Sequence, residues 1–212
     1  MRTVCIVQAR LGSKRLPGKV TLPLNGHTVI GEVLTRCKRI PGVDEVVCAI
    51  PLGESELRQE AEKYCRVSCG PEDDVLRRYA IAAEVFEADI VMRITGDCPL
   101  ISPELCGAVL RGLMRTGASY ASNIDPRTFP RGLDCEVFTR EMLEKATSEA
   151  TDLYDREHVT PWMQRRSRSE CRRISVQNKW PIEGRLCIDT EDDYKVIKAH
   201  FDNESKASLR AA

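Results

Sequence analysis

The chain has 212 residues, with 32 Lys and Arg against 32 Asp and Glu, so its formal net charge is zero. That balance argues against a general nucleic-acid binder, which needs a basic excess to release counterions. No apolar run approaches the ~20 residues of a membrane span, and the length fits one large domain that buries roughly 70–75% of its unfolded surface without staples.

Met1-Arg2-Thr3-Val4-Cys5-Ile6-Val7 enters a strand-like run at once and is followed by polar Gln8 and Arg10, so no signal-peptide core is expected. The ten cysteines sit mostly inside apolar runs, as at Cys5, Cys48, Cys98 and Cys187. A reduced, cytoplasmic protein with cysteines as small buried hydrophobes is the expectation. Cys65-x-x-x-Cys69 is the nearest pair, and no second pair or His cluster completes a zinc site.

Strand-like and helix-like runs alternate for two thirds of the length. Thr3–Ala9 is apolar and β-branched, and residues 28–39 carry the helical stripe Val29, Ile30, Val33, Leu34 and Cys37. Glu45–Ile50 is a second strand, 55–65 a helix, Arg66–Ser68 a short strand, and 73–87 a helix with Val75, Leu76, Tyr79, Ala83 and Phe86 on one face. Asp89–Ile94 is a third clear strand. Ser102-Pro103-Glu104 opens the next helix, with Ser as cap and Pro in the first turn. This alternation implies an α/β fold with a mostly parallel sheet and helices on both sides.

The last third breaks the rhythm. Asp134–Phe138 reads as a strand, and Thr139 caps a helix to about Ser148. Residues 152–166 read as helical with Pro161 as a kink. Residues 171–177 and 185–188 read as strands. Thr190-x-x-Asp193 has the form of a capping box. A single domain over residues 1–201 with a polar, frayed tail at 202–212 is expected. The irregular segments at 10–27 and 122–133 are long for a compact domain, and loops of that length usually serve function.

The first of these loops reads Gln8-Ala9-Arg10-Leu11-Gly12-Ser13-Lys14-Arg15-Leu16-Pro17-Gly18-Lys19. It follows the first strand, where open α/β sheets bind ligands. Four cations and two glycines suit a polyphosphate, because glycines let backbone N–H groups approach and cations neutralise oxygens. The alternative is a solvated basic loop. It is not a P-loop, since five residues separate Gly12 from Gly18 and Val20 follows Lys19. Asp97, in Arg93-Ile94-Thr95-Gly96-Asp97-Cys98-Pro99-Leu100, closes the third strand before a rigid turn. Asp189, in Leu186-Cys187-Ile188-Asp189-Thr190, closes another strand-like run before a helix. One such Asp alone reads best as a turn residue, but two beside a cationic glycine loop form a metal–nucleotide constellation.

Val7-Gln8-Ala9-Arg10-x-Gly12-Ser13-x-Arg15-Leu16-Pro17-Gly18-Lys19 resembles the signature of CTP-dependent sugar nucleotidyltransferases, among them the synthases of CMP-sialic acid and CMP-ketodeoxyoctonate. Gly70-Pro71-Glu72-Asp73-Asp74-Val75-Leu76-x-Arg78-Tyr79, Thr95-Gly96-Asp97-Cys98-Pro99-Leu100-Ile101 and Arg156-Glu157-His158-Val159-Thr160-Pro161 resemble the spore-coat polysaccharide cytidylyltransferase-like branch more closely. The likeness runs from Val4 to about Ile197. It implies a three-layer α/β/α, Rossmann-like nucleotidyltransferase fold with a mixed, mostly parallel sheet. It also implies transfer of CMP from CTP to an acidic sugar, with release of pyrophosphate, by an enzyme that is commonly a homodimer.

By the same resemblance, Arg10, Arg15 and Lys19 would hold the triphosphate, and Ala9, Gly12, Ser13 and Thr95 would complete the nucleotide site. Gly70, Asp74 and Arg78 would lie near base and ribose, and Asp97 and Asp189 would bind Mg²⁺. Arg10, Lys19, Asp97 and Asp189 are the expected catalytic set. Asn variants at 97 and 189 are expected to lose little stability, and relief of crowding between the two carboxylates would act to stabilise the apo protein.

The acceptor side is carried by Asn123, Arg127, Arg131, Asp134, Glu136, Glu157 and His158. Arg127 or Arg131 is the candidate for a substrate carboxylate, since Arg offers a planar bidentate fork; a solvated loop is the competing reading. Arg165-Arg166-x-Arg168 and Arg172-Arg173 read as a solvated face. A metal-dependent glycosyltransferase of similar fold is the rival reading. It is disfavoured because no Asp-x-Asp pair ends the third strand.

Overall fold

A computed structural model describes residues 1–166, 172–177 and 184–211, with side chains to Asn203. The chain runs through β1 (Thr3–Gln8), a 3-10 turn (Lys19–Thr21), a hairpin of β2 (Pro23–Leu24) and β3 (His27–Thr28), α1 (Val29–Cys37), β4 (Glu45–Pro51), α2 (Ser55–Glu62), β5 (Arg66–Gly70) and α3 (Val75–Val85). It continues through β6 (Ile90–Thr95), α4 (Pro103–Thr116), β7 (Tyr120–Ser122), β8 (Glu136–Thr139), α5 (Arg140–Glu149), α6 (Leu153–His158), α7 (Pro161–Gln164), β9 (Arg173–Ser175) and α8 (Glu191–Ala211).

Seven strands form one sheet in the order β5-β4-β1-β6-β8-β7-β9. β1 lies parallel to β4 and β6, and β4 parallel to β5. β8 runs antiparallel to both β6 and β7, while β9 lies parallel to β7. The period-two alternation of β1 shows why two helical layers are needed. Cys5 and Val7 enter one core with residues of α1, α2 and α4, and Val4 and Ile6 enter another with α3, α5 and the α7 region. The three-layer α/β/α architecture is the one the sequence implies.

Local chemistry sets most of the helix ends. Thr28, Asp74, Ser102 and Thr139 each accept a backbone N–H from the first turn of α1, α3, α4 and α5. The capping box forms: Asp193 N donates to Thr190 Oγ1 at 3.2 Å, and Thr190 N donates to Asp193 Oδ2 at 2.9 Å. The helical run at 152–166 divides at Val159, where φ is 72° just before Pro161.

Three expectations change. Residues 185–188 form no strand; only a bridge between Arg131 and Arg185 occurs there. This segment runs along the top of the sheet, held by Leu186 N donating to Arg131 O (2.7 Å) and Ile188 N to Asp97 O (2.8 Å). The helix before the tail does not end at 202, because α8 continues to Ala211. β7 is an addition, a three-residue strand between β8 and β9. Within the long 10–27 segment lie the 3-10 turn and most of the β2–β3 hairpin. Arg168 and Cys171 lie outside the described residues. Among the described residues nine cysteines are free, six of them buried. Burial pushes the Cys48 and Cys98 thiols up. No described helix is long and apolar enough to cross a membrane.

One close approach carries the segment that delivers Asp189. Gly132 has φ +103°, and a Cβ there would run into the backbone carbonyl of Leu186. A left-handed conformation strains any L side chain, and the clash falls on backbone, which cannot rotate away. Gly132→Ala should therefore cost about 2–4 kcal/mol, from strain plus overpacking. For a chain of this size that is a fall in Tm of roughly 4–16 °C by thermal denaturation; an unchanged Tm would show that the 131–132 turn and the 185–188 segment do not pack as described.

Candidate active site

The carboxyl ends of the parallel strands β4, β1 and β6 form one edge of the sheet, and a cavity of about 430 Å³ opens there. β1 delivers Gln8 and Ala9 and then the cationic loop. β6 delivers Thr95, Gly96 and Asp97. Gly96 allows the two strand ends to meet: a Cβ there would lie 2.9 Å from Ile30 Cδ1 and 3.0 Å from Ala9 Cβ. Gly96 N instead donates to Gln8 O at 2.8 Å.

Lys19 sits at the centre. Its Nζ donates to Asp97 Oδ2 at 2.6 Å, to Ile188 O at 2.7 Å and to Asp189 Oδ1 at 2.8 Å. All three ammonium protons are thereby used. The two carboxylate oxygens can be no farther apart than the sum of the two Lys19 contacts, so the carboxylates do converge. Lys19 is not free to reach a phosphate from this position. Arg15 NH2 lies 3.0 Å from Asp189 Oδ2, and Arg185 pairs with the same carboxylate.

The rest of the loop folds on itself. Gly18 N and Ser13 N both donate to Leu11 O, and Leu11 N donates to Glu54 Oε1 at 2.9 Å. Arg10 lies 3.5 Å from Glu157 Oε1, with both side chains about half exposed. Arg10, Lys14 and Arg15 thus present cations to the cavity at little cost in existing contacts.

Of the other residues singled out from sequence, Ala9, Ser13, Arg78, Thr95, Glu157 and His158 also line the cavity. Gly12 and Gly70 do not. Gly12 lies in the loop near Glu72, and Gly70 ends β5 against the Arg78 side chain. Arg78 is only 1% exposed, and its Nε and NH1 have no hydrogen-bond partner. Burial lowers its pKa. An unpaired guanidinium at a cavity wall is costly unless a ligand atom completes it. Asp74 caps α3 and takes Arg156 Nε at 3.0 Å.

The acceptor candidates divide. Asn123 is buried and staples its own loop: Nδ2 donates to Leu133 O at 2.8 Å, and Oδ1 accepts from Cys135 N at 2.9 Å. Arg127 is locked on Asp134 through two bonds, of 2.6 and 2.9 Å. Arg131 is exposed and bridges to residue 185 by backbone. None of these four residues lines the cavity. Glu136 is 1% exposed and accepts from Arg93 NH1 (2.6 Å), Tyr120 OH (2.5 Å) and Gln164 Nε2 (3.0 Å). His158 packs its ring 4.3 Å from that of Tyr154 and faces the cavity. Gln8 and Arg93 also line the cavity, with no role expected for them from sequence. A charged residue inside an otherwise apolar central strand was the signal for Arg93.

The donor set suits a hard cation. Two carboxylates converge, each partly open to the cavity (side chains 23% and 16% exposed). Among the described residues no group of three His, Cys, Asp or Glu side chains could hold a metal alone. Mg²⁺ is typically held by one or two carboxylates together with substrate phosphate oxygens, which this set provides for.

Mixed sheet, cationic loop and two convergent carboxylates, one at the end of β6 and one just before α8, define a Rossmann-like nucleotidyltransferase. The sequence profile of the cytidylyltransferase family matches residues 4–209, and the chain belongs to that family. It is 29% identical over 207 residues to the spore coat polysaccharide biosynthesis protein SpsF of Bacillus subtilis, covering 92% of this chain and 85% of that one. The structure of a cytidylyltransferase from Leptospira borgpetersenii is similar with a TM-score of 0.89 at 33% identity, covering 94% of this chain and 86% of that one. CMP:2-keto-3-deoxy-manno-octonic acid synthetase complexed with CTP shares the fold, with a TM-score of 0.75 at 19% identity over 96% of this chain and 100% of that one.

The lysine also changes what the acids contribute to stability. Burial pushes the Asp97 carboxyl up, but the Lys19 charge and hydrogen bonds from Lys19, Thr95 and Cys98 outweigh it. The net value lies below the ordinary carboxylate range. There is no uncompensated crowding for Asn to relieve. Asp97→Asn should cost roughly 1–3 kcal/mol at neutral pH, the scale of hydrogen bonds to charged groups. A depressed folded pKa contributes stability that is full above the unfolded value and is lost as pH falls through the folded one. The Tm difference between parent and Asp97→Asn should therefore be constant above about pH 5 and shrink below about pH 4. A difference that persists unchanged to pH 2.5 would rule out the ion pair as its source.

Proposed function

We propose that this protein transfers CMP from CTP to an acidic sugar, releases pyrophosphate, and supplies a CMP-activated sugar for cell-surface polysaccharide synthesis. The observation that carries this reading is the convergence of the two carboxylates and the cationic loop on one cavity, in a chain of the cytidylyltransferase family. SpsF acts by its name in polysaccharide synthesis, and the octonic acid synthetase structure holds CTP; both support the choice of donor and acceptor.

The triphosphate lies along the loop, where Arg10, Lys14 and Arg15 neutralise its oxygens and the backbone at Ala9 and Ser13 approaches it. Base and ribose lie toward Gly70, Asp74 and Arg78, where Arg78 offers two unpaired donors to a carbonyl or hydroxyl oxygen. Asp97 and Asp189 would hold Mg²⁺, which supplies Lewis-acid polarisation of the phosphate oxygens when bound. Lys19 keeps the two carboxylates in one place. A hydroxyl of the acceptor forms the new bond to the α-phosphorus as the bond to the pyrophosphate oxygen breaks, and the hydroxyl proton leaves to solvent. The protein's own contribution is positioning, plus charge placed where it grows on the leaving group. No cysteine serves as a nucleophile: Cys98, beside Asp97, is buried and its thiol pKa is raised.

Pyrophosphate release from CTP with a panel of acidic sugars tests the reaction; release of a nucleoside diphosphate from a nucleotide-sugar would indicate a glycosyltransferase instead. CTP at a hundredfold excess over Kd should stabilise the protein by roughly 2.7 kcal/mol. ATP, GTP and UTP should do much less, and equal shifts with ATP would sink the assignment to CTP. Arg10→Ala should lower turnover by about ten- to a hundredfold while Tm hardly moves, since Arg10 makes only one long surface ion pair. Lys19→Ala should lose both turnover and Tm, because Lys19 is buried and holds three partners. Asp97→Asn and Asp189→Asn should each abolish metal-dependent turnover, and the pair should be no worse than either alone, because each breaks the same site.

A further inference from the structure

The reaction proposed above needs a cation for the acceptor's carboxylate, and the two arginines that the sequence offers for it are taken. Arg127 is bound through two bonds to Asp134, and Arg131 stands outside the cavity. The cavity's other cations are largely accounted for. Arg10, Lys14 and Arg15 belong to the phosphate loop, Lys19 is saturated, and Arg78 lies on the β5 side, against Gly70.

Arg93 remains. It lies on β6, opposite Ile6 of β1 on one side and Glu136 of β8 on the other. Its neighbours on the same sheet face, Val91 and Phe138, are fully buried core. Arg93 lines the cavity with its side chain 14% exposed. Glu136 takes its NH1, and its Nε has no partner.

Glu136 is itself held from two other directions, by Tyr120 OH and Gln164 Nε2. The guanidinium is thereby fixed in orientation, with Nε enclosed and unpaired and the side chain partly open to the cavity. A guanidinium held this way can receive a carboxylate on its cavity side through N–H bonds. A pair kept for stability alone needs no such opening, and apolar replacement of buried ion pairs is often neutral or stabilising. Burial disfavours the charge on Arg93, and Glu136 more than offsets this, so the anchor stays cationic.

We propose that Arg93 binds the carboxylate of the acceptor sugar, with Glu136 as the positioning residue that orients it. This rests on the reading of the site as one that uses an acidic acceptor. A strand-borne anchor is also more rigid than one on the 122–133 loop.

The test measures pyrophosphate release by the full chain with CTP, Mg²⁺ and, in turn, 3-deoxy-manno-octulosonate, N-acetylneuraminate, their methyl esters and a set of neutral sugars. The variants are Arg93→Lys, which keeps a cation beside Glu136, and the double variant Arg93→Met with Glu136→Gln, which removes both charges and leaves no buried carboxylate unpaired. With whichever acid the parent uses, both variants should raise the acceptor KM by about ten- to a hundredfold. The KM for CTP and the Tm shift given by CTP should stay within twofold and 1–2 °C, roughly the scatter of such measurements. The methyl ester should be as poor a substrate for the parent as the acid is for Arg93→Lys.

If the variants lose the CTP shift as well, Arg93 belongs to the nucleotide site and the assignment is overturned. If Arg93→Lys restores full acceptor affinity, or no kinetic constant moves, the residue is structural and the assignment is likewise overturned. A parent that turns over neutral sugars only, or none of the panel, defeats the acidic-acceptor reading itself, and the role of Arg93 falls with it; that outcome is separate because it appears before any variant is made.

Discussion

One ammonium group holds three distant pieces of the chain together. Lys19 comes from the 3-10 turn after the first loop, Asp97 from the end of β6, and Asp189 from the segment before α8. Two carboxylates in a half-buried space would repel each other, and each would tend to hold a proton. With the lysine between them both face the cavity, and the Asp97 carboxyl is held below its usual range. The neighbouring features depend on this geometry. Ile188 can hydrogen-bond to Asp97 only if the two segments lie side by side, and Gly132 must let the 185–188 stretch pass.

The sheet divides the work by strand direction. Parallel strands β5, β4, β1 and β6 bring their carboxyl ends to one edge, where backbone amides and loop side chains can surround a polyphosphate. The antiparallel partner β8 cannot contribute an end there. It contributes a side chain in register instead, Glu136 beside Arg93. One sheet face therefore changes along its length from apolar core at Val91 and Phe138 to a polar wall at Arg93, Thr95 and Gln8. This change lets a packed layer open into a cavity without a break in the ladder.

Much of this was legible from residues alone, because it rests on local signals. Period-two apolar runs pointed to β1, β4 and β6, and the caps at Ser102, Thr139 and Thr190 to helix starts. Gly96-Asp97 could be read as a carboxylate at a strand end, and Asp189 as one placed just before a helix. What stayed hidden depends on pairing at long range. Nothing near Glu136 in the chain shows that it faces Arg93, so it read as a ligand residue rather than a counter-ion. Asn123 and Arg127 read as substrate contacts because they are polar residues in a long loop; in the fold that loop satisfies itself through Leu133, Asp134 and Cys135. Lys19 looked like a phosphate ligand because its partners lie 78 and 170 residues further on. Residues 185–188 have strand composition, but among the described residues they make a single bridge, at Arg185 to Arg131.

That 170-residue span has a consequence for the protein as it is made. Translation proceeds at about 5–20 residues per second, so Asp189 follows Lys19 out of the ribosome by roughly 8 to 34 s. Asp97 arrives less than halfway through that interval. During the gap the nascent chain can form its parallel strands and its cationic loop, with a lysine facing one carboxylate where the finished protein has two. The half-built site then has Lys19 beside Asp97 alone, without the second carboxylate. The two-carboxylate cluster around Lys19 is therefore completed late, when the segment before α8 docks.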